Sequence, residues 1–172
     1  MIPKPGPSDY PAYVSPYIAT VPDGAVLDLM EEQTEEIGRF FGRLTPEEAD
    51  YRYAPDKWSV KEILGHLIDG ERVFSYRALR FARNDSTDLP GFDQDTYVAA
   101  GRFSDRSMQS LLDEFLPLRR SNTVLFRSFS EEELNRSGTA DGRSITVYAL
   151  AYVLVGHVLH HRNVLRDKYQ LA

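Results

Sequence analysis

The stretch LVGHVLHHRNVL, residues 154–165, carries His157, His160 and His161, three of the four histidines in a chain of 172 residues. Imidazole can exchange a proton near neutral pH or bind a metal, and its surroundings decide which. If the stretch is helical, each residue advances about 100°, so positions four apart lie only ~40° apart around the axis. Leu150, Val153, His157, His161 and Val164 then share one face, the apolar one. His160 stands roughly 60° from His157 and about 100° from His161, so it flanks the pair, either supporting the ligands from behind or packing beside them. The i, i+4 spacing lets two imidazoles grip one divalent cation. The alternative is a pair of core histidines bonded to backbone, tyrosine or an acid, because an unsatisfied buried polar group costs about 1–3 kcal/mol.

His66 is the fourth histidine. It falls at the edge of an apolar stripe formed by Val60, Ile63, Leu64, Leu67, Phe74 and Phe81. Alone it reads as a boundary residue. Brought against the His157/His161 pair by a neighbouring helix, it completes a three-histidine set with an open position, the arrangement of catalytic rather than structural zinc sites. Glu62 and Asp69 lie within ~60° of His66 on the same helix. They are candidates for orienting His66 or a metal-bound water, or else members of a solvated face.

Other chemistries fit less well. A zincin needs H-E-x-x-H, but Val158 follows His157. Di-iron bundles need two Glu-x-x-His repeats, whereas Glu62 stands four residues before His66. The chain has no cysteine, which excludes thiolate nucleophiles, cysteine zinc sites, iron–sulfur clusters and disulfides. Any thiol chemistry must use a cosubstrate. Arg77, Arg143 and Arg162 either hold an acidic cosubstrate or are solvated or ion-paired. Trp58 either packs as a hydrophobic staple or lines a pocket.

Four long amphipathic helices must position these groups. The first is expected over about 23–42, on the spacing of Val26, Leu27, Met30, Ile37, Phe40 and Phe41. The second opens on a capping box, Ser59 with Glu62, and runs to about Arg83. The third spans about 104–129, with a kink expected at Pro117. The fourth begins near Ser144 or Thr146 and ends near Tyr169. Thr45 and Ser130 are expected to cap one-turn helices. Residues 84–93 and the stretch NRSGTADGRS read as loops, and no alternating strand pattern stands out. The fold class is therefore all-α, a four-helix bundle over 23–172. Six prolines between Pro3 and Pro22 make residues 1–22 an extended arm. Its interleaved Tyr10, Tyr13 and Tyr17 suggest that the arm packs on the domain.

Composition sets the remaining bounds. With 42% hydrophobic and 27% charged residues, the chain is an ordinary globular domain. Its net charge of −6 argues against a nucleic-acid face, which needs clustered Lys and Arg. No run approaches the ~20 apolar residues of a membrane span, and the N-terminal stretch lacks the apolar core of a signal peptide. The expectation is a soluble, cytoplasmic protein.

Three segments, KWSVKEILGHLIDGERVFSYRALRFAR (57–83), LPGFDQDTYV (89–98) and RSITVYALAYVLVGHVLHHRNVLRDKY (143–169), resemble the DinB-like (YfiT-like) superfamily of metal-dependent enzymes. The resemblance covers about residues 20–170. It implies an up–down–down–up four-helix bundle that is often a homodimer. It also implies one divalent ion, commonly zinc or nickel, held by His66, His157 and His161. Some relatives transfer low-molecular-weight thiols such as bacillithiol or mycothiol to electrophiles, or isomerise with thiol help; others are described as hydrolases. Both chemistries use the open position, where a metal can acidify either a thiol or a water. The expected partner is therefore a small-molecule substrate, with a low-molecular-weight thiol as cosubstrate. A non-catalytic metal-binding or stress-response module is the competing class.

Overall fold

The computed structural model describes residues 3–171. The arm is irregular up to Pro11, then coils into a 3₁₀ turn (Ala12–Val14) and a short helix, α1 (Ser15–Thr20), where an extended arm was expected. Four long helices follow: α2 (Val26–Gly42), α4 (Val60–Ala82), α6 (Met108–Ser128) and α8 (Val147–Tyr169). Single-turn helices α3 (Pro46–Asp50) and α7 (Glu131–Asn135) carry the capping boxes expected at Thr45 and Ser130. Helix α6 starts four residues later than expected, at the Ser107 cap, and continues through Pro117.

Two connections differ from the sequence reading. The stretch from Gln94 is helical, α5 (Gln94–Gly101), capped by the Asp93 carboxylate, which accepts from the Thr96 N–H at 2.7 Å. The supposed loop after α7 is an antiparallel hairpin, β1 (Ser137–Ala140) with β2 (Arg143–Thr146). Its two-residue turn places Asp141 at φ 55° and Gly142 at φ 67°. These left-handed values match the twist of paired strands and explain the Asp-Gly pair at the turn. Leu89 bonds to this hairpin, donating to the Thr139 carbonyl and accepting from the Asp141 N–H. The α4–α5 connection is thereby tied to the α7–α8 connection.

The long helices pack in the ring order α2–α6–α4–α8, so α2 and α4, although consecutive, sit across the bundle from each other. Helix α1 lies across α8 and buries Ile18, with Val14 and Val21 buried at its two ends. Gly156 makes this approach possible, because a Cβ there would collide with the Tyr17 carbonyl.

The core has two apolar halves. One gathers Met30, Phe81, Phe126 and Leu150; the other gathers Phe41, Leu64, Phe115 and Leu165. A buried polar layer separates them, drawn from the middle of each helix: Gln33 on α2, Glu71 on α4, Arg119 and Asn122 on α6, and His157 on α8. Arg119 pairs with Glu71 at 2.7 Å and donates to the Leu154 carbonyl at 3.2 Å. The Asn122 amide donates to the Glu71 carboxylate at 2.7 Å. Each charge in the layer therefore has partners, as buried charges require.

Candidate metal centre

Three histidines converge between α4 and α8. His66 is 2% exposed, His157 4% and His161 8%. Each offers a ring nitrogen, and these atoms lie within 4.8 Å of one another. The Nε2 atoms of His66 and His157 are 2.8 Å apart. Helical phase accounts for the α8 pair, whose rings stand 4.8 Å apart centre to centre. His66 reaches them because α4 and α8 are neighbours in the ring. Gly70, one turn along α4, clears space for His157: a Cβ there would lie 2.9 Å from its Cε1 and 3.0 Å from its Nδ1.

Electrostatics keep the cluster neutral. Burial, assisted by nearby His160, lowers the His66 pKa to about 4. Burial also drives His157 and His161 well below the ordinary imidazole value, and each further imidazole adds repulsion. Three neutral imidazoles present lone pairs and no repelling charge, which is the protonation state that metal ligation requires. Among the described residues, Nδ1 of His66 and Nδ1 of His161 have no hydrogen-bond partner, although both are buried. No acid or tyrosine satisfies those two atoms, contrary to what the core-histidine alternative needs. The donor set suits zinc, nickel or another borderline divalent ion.

Of the three groups considered as supports, only His160 touches the cluster; among the described residues neither Glu62 nor Asp69 bonds to it. Glu62 is occupied by its capping box, accepting from the Ser59 N–H at 2.6 Å, and by Arg52 at 2.6 Å. Asp69 is half-buried, and its surroundings are Glu114 and Arg72. Burial and the Glu114 charge raise its pKa. His160 flanks the pair as the helical phase indicated. Its ring meets His161 at 5.0 Å and Tyr17 at 5.3 Å.

The rings around the cluster are mostly aromatic. Trp58 lies 4.8 Å from His66 and, nearly stacked, 6.4 Å from His161. Tyr17 meets His157 edge-on at 5.4 Å, and Phe74 does so at 5.9 Å. Two cavities open onto the cluster from different sides. One, about 420 Å³, reaches His161 past Trp58, Lys57 and Tyr169. The other, about 290 Å³, reaches His66 and His157 past Tyr13, Tyr17, Arg77 and the 91–95 segment. Asp95 lines both. It belongs to the helix that the sequence reading missed. The Asp93–Thr96 cap was the signal that would have placed it.

A model of the DinB superfamily matches residues 29–165, a span that includes all three histidines. The chain belongs to the DinB superfamily. Among solved structures, this DinB protein is similar to YfiT from Bacillus subtilis, described as a probable metal-dependent hydrolase with an unusual four-helix bundle topology. The TM-score is 0.72 at 16% identity, over 88% of this chain and 90% of that one. It is also similar to the mycothiol-dependent maleylpyruvate isomerase, with a TM-score of 0.65 at 15% identity, over 79% of this chain and 57% of that chain. At such identities the likeness establishes the fold, and the ring order of the long helices is not that of a simple up-and-down bundle. No curated protein matches the sequence significantly. Among the described residues of this DinB chain, no helix is long and apolar enough to cross a membrane.

Proposed function

We propose that this DinB protein is a metal-dependent enzyme that transfers a low-molecular-weight thiol to a small electrophile, with His66, His157 and His161 as the metal ligands. The supporting observation is a buried, neutral three-histidine cluster that two small-molecule-sized cavities reach and that, among the described residues, includes no carboxylate. A divalent ion held there supplies Lewis acidity, lowering the pKa of a thiol or water that arrives at the centre. Thiol acidification of this kind needs no side-chain base beside the ligands. Trp58, Tyr17 and Phe74 supply aromatic walls beside the cluster, where electrostatic interactions are stronger than in bulk water.

Asp95 favours a second reading, metal-assisted hydrolysis. It is the acid shared by both cavities, and in that reading its carboxylate accepts the proton of the attacking water. The test has three stages. Purified protein should carry one equivalent of metal, His157→Ala should lose it, and His160→Ala should keep it. The metal-loaded protein is then screened with a panel of small thiols against electrophiles, and with ester and amide substrates. Thiol-dependent turnover that survives Asp95→Asn supports transfer. Thiol-independent turnover abolished by Asp95→Asn supports hydrolysis. A protein with no stoichiometric metal, unchanged by His157→Ala, overturns both readings.

A further inference from the structure

Arginine is protonated at any physiological pH, and a buried charge needs compensation. The polar core obeys this rule, since Arg119 is fully buried and paired with Glu71. Near the cluster, Arg143 pairs with Asp141 at 2.9 Å and Arg162 pairs with Glu36. Arg77 is the exception. It is only 5% exposed, yet among the described residues it forms no ion pair. One guanidinium nitrogen donates to the Pro90 carbonyl at 3.0 Å. The guanidinium carbon stands 5.9 Å from the centre of the Phe74 ring and 6.0 Å from that of Phe92. Two aromatic rings and one carbonyl fix its position without neutralising it.

Arg77 also lines the cavity that ends at His66 and His157. We propose that Arg77 is the anchor for a carboxylate on the substrate or cosubstrate that enters this cavity. The Pro90 bond leaves the other donors of the planar fork free, and that fork matches a carboxylate's two oxygens. The same wall contains Asp93, Asp95 and Asp141. Asp93 is engaged in its helix cap and Asp141 with Arg143, and none of the three pairs with Arg77. Those acids disfavour a polyanion such as phosphate, and with Arg143 paired to Asp141 they leave Arg77 as the cation of this wall available to a single carboxylate. This assignment rests on the proposed role of the cavity as the substrate site.

Equilibrium binding to metal-loaded protein tests it without turnover. The probes are N-acetylcysteine, its uncharged amide, succinate and inorganic phosphate, measured by calorimetry on wild type and on Arg77→Met. The acid should bind roughly 10- to 100-fold more tightly than the amide, the worth of a charge-assisted hydrogen bond. Arg77→Met should erase that preference while metal content stays at one equivalent. Arg77→Lys should retain part of it. Equal binding of acid and amide by wild type overturns the assignment, and this comparison holds even if the Met variant folds poorly. So does a preference that persists in Arg77→Met, or phosphate binding as tightly as the carboxylates. Arg77-dependent succinate binding in a protein that turns over no thiol would keep the anchor and sink the thiol reading. Thiol turnover indifferent to acid, amide and Arg77→Met would do the reverse.

Discussion

Replacing Gly70 with alanine isolates the fit between α4 and His157. The new Cβ would sit 2.9 Å from Cε1 and 3.0 Å from Nδ1 of that ring. Ordinary contact is about 3.5–4.0 Å, so one partner must give by roughly 0.5 Å or more. His157 has little room to retreat, with His66 at 4.7 Å, His161 at 4.8 Å and Tyr17 at 5.4 Å, ring centre to ring centre. Alanine in a helix is favoured over glycine by about 0.8–1.0 kcal/mol, while overpacking costs ~1–3 kcal/mol. Net stability should therefore fall by no more than about 2 kcal/mol. Metal affinity is the sharper readout. A 0.5 Å ligand displacement is near the tolerance of a preorganised site, and disturbing the supporting shell of a metal typically costs ~10- to 100-fold in affinity. Chelator competition with zinc measures that loss directly. It should reappear as ~1.4–2.7 kcal/mol less stabilisation on adding excess metal. Gly38→Ala is the control, since its Cβ would meet only Leu116 at an ordinary 3.5 Å. If Gly70→Ala bound zinc like wild type and gained stability as Gly38→Ala does, the packing of His157 on α4 would be wrong.

Two further outcomes follow from the buried groups. Glu71→Gln removes the counter-ion of Arg119 and should destabilise the fold by about 3–5 kcal/mol in denaturant titrations. A Glu71→Met/Arg119→Leu double variant should recover most of that loss, and an equally unstable double variant would refute the view that the uncompensated charge is the cause. Metal-free protein should also be acid-sensitive. His66 has a folded pKa of about 4 against ~6.5 in the unfolded chain, so below pH ~6.5 the unfolded state takes up its proton first. Stability should then fall as pH drops toward 4, by up to about 1.4 kcal/mol per pH unit for this residue. His66→Phe should flatten the pH profile by that amount, and superimposable profiles would exclude the effect.

The bundle and the inward His157/His161 pair were legible because each depends on periodicity, whereas His66 read alone as a boundary residue and joined the pair only through the family resemblance. Helical phase put His157 and His161 on the buried face and left His160 aside, as the rings show. The capping boxes at Thr45, Ser59 and Ser130 marked helix starts because two reciprocal bonds at fixed spacing make them. The connections were less legible. Asp141-Gly142 is a strong hairpin signal, but the flanking strands are four residues each, too short for alternation to register. Helix α5 has only eight residues, and its Asp93 cap sat inside a Pro- and Gly-rich stretch that read as loop. Proline content suggested an extended arm, yet Pro16 occupies the first turn of α1, where a missing N–H is harmless. The cavity walls were hidden for a further reason. They join Tyr13, Arg77, the 91–95 segment and Arg143, which only the folded chain brings together.

The docking of α1 on α8 has a consequence for how the protein is made. Six residues cannot hold a helix in water, because nucleation outweighs so few bonds. Helix α1 therefore depends on α8, which follows it by more than a hundred residues, and the Asp9 carbonyl likewise waits for the Thr146 N–H. During synthesis, α2, α4 and α6 leave the ribosome before either partner can form those contacts. The arm stays open until the last long helix emerges. Tyr17 reaches His157 only then, so this wall of the site closes after α2, α4 and α6 have been made.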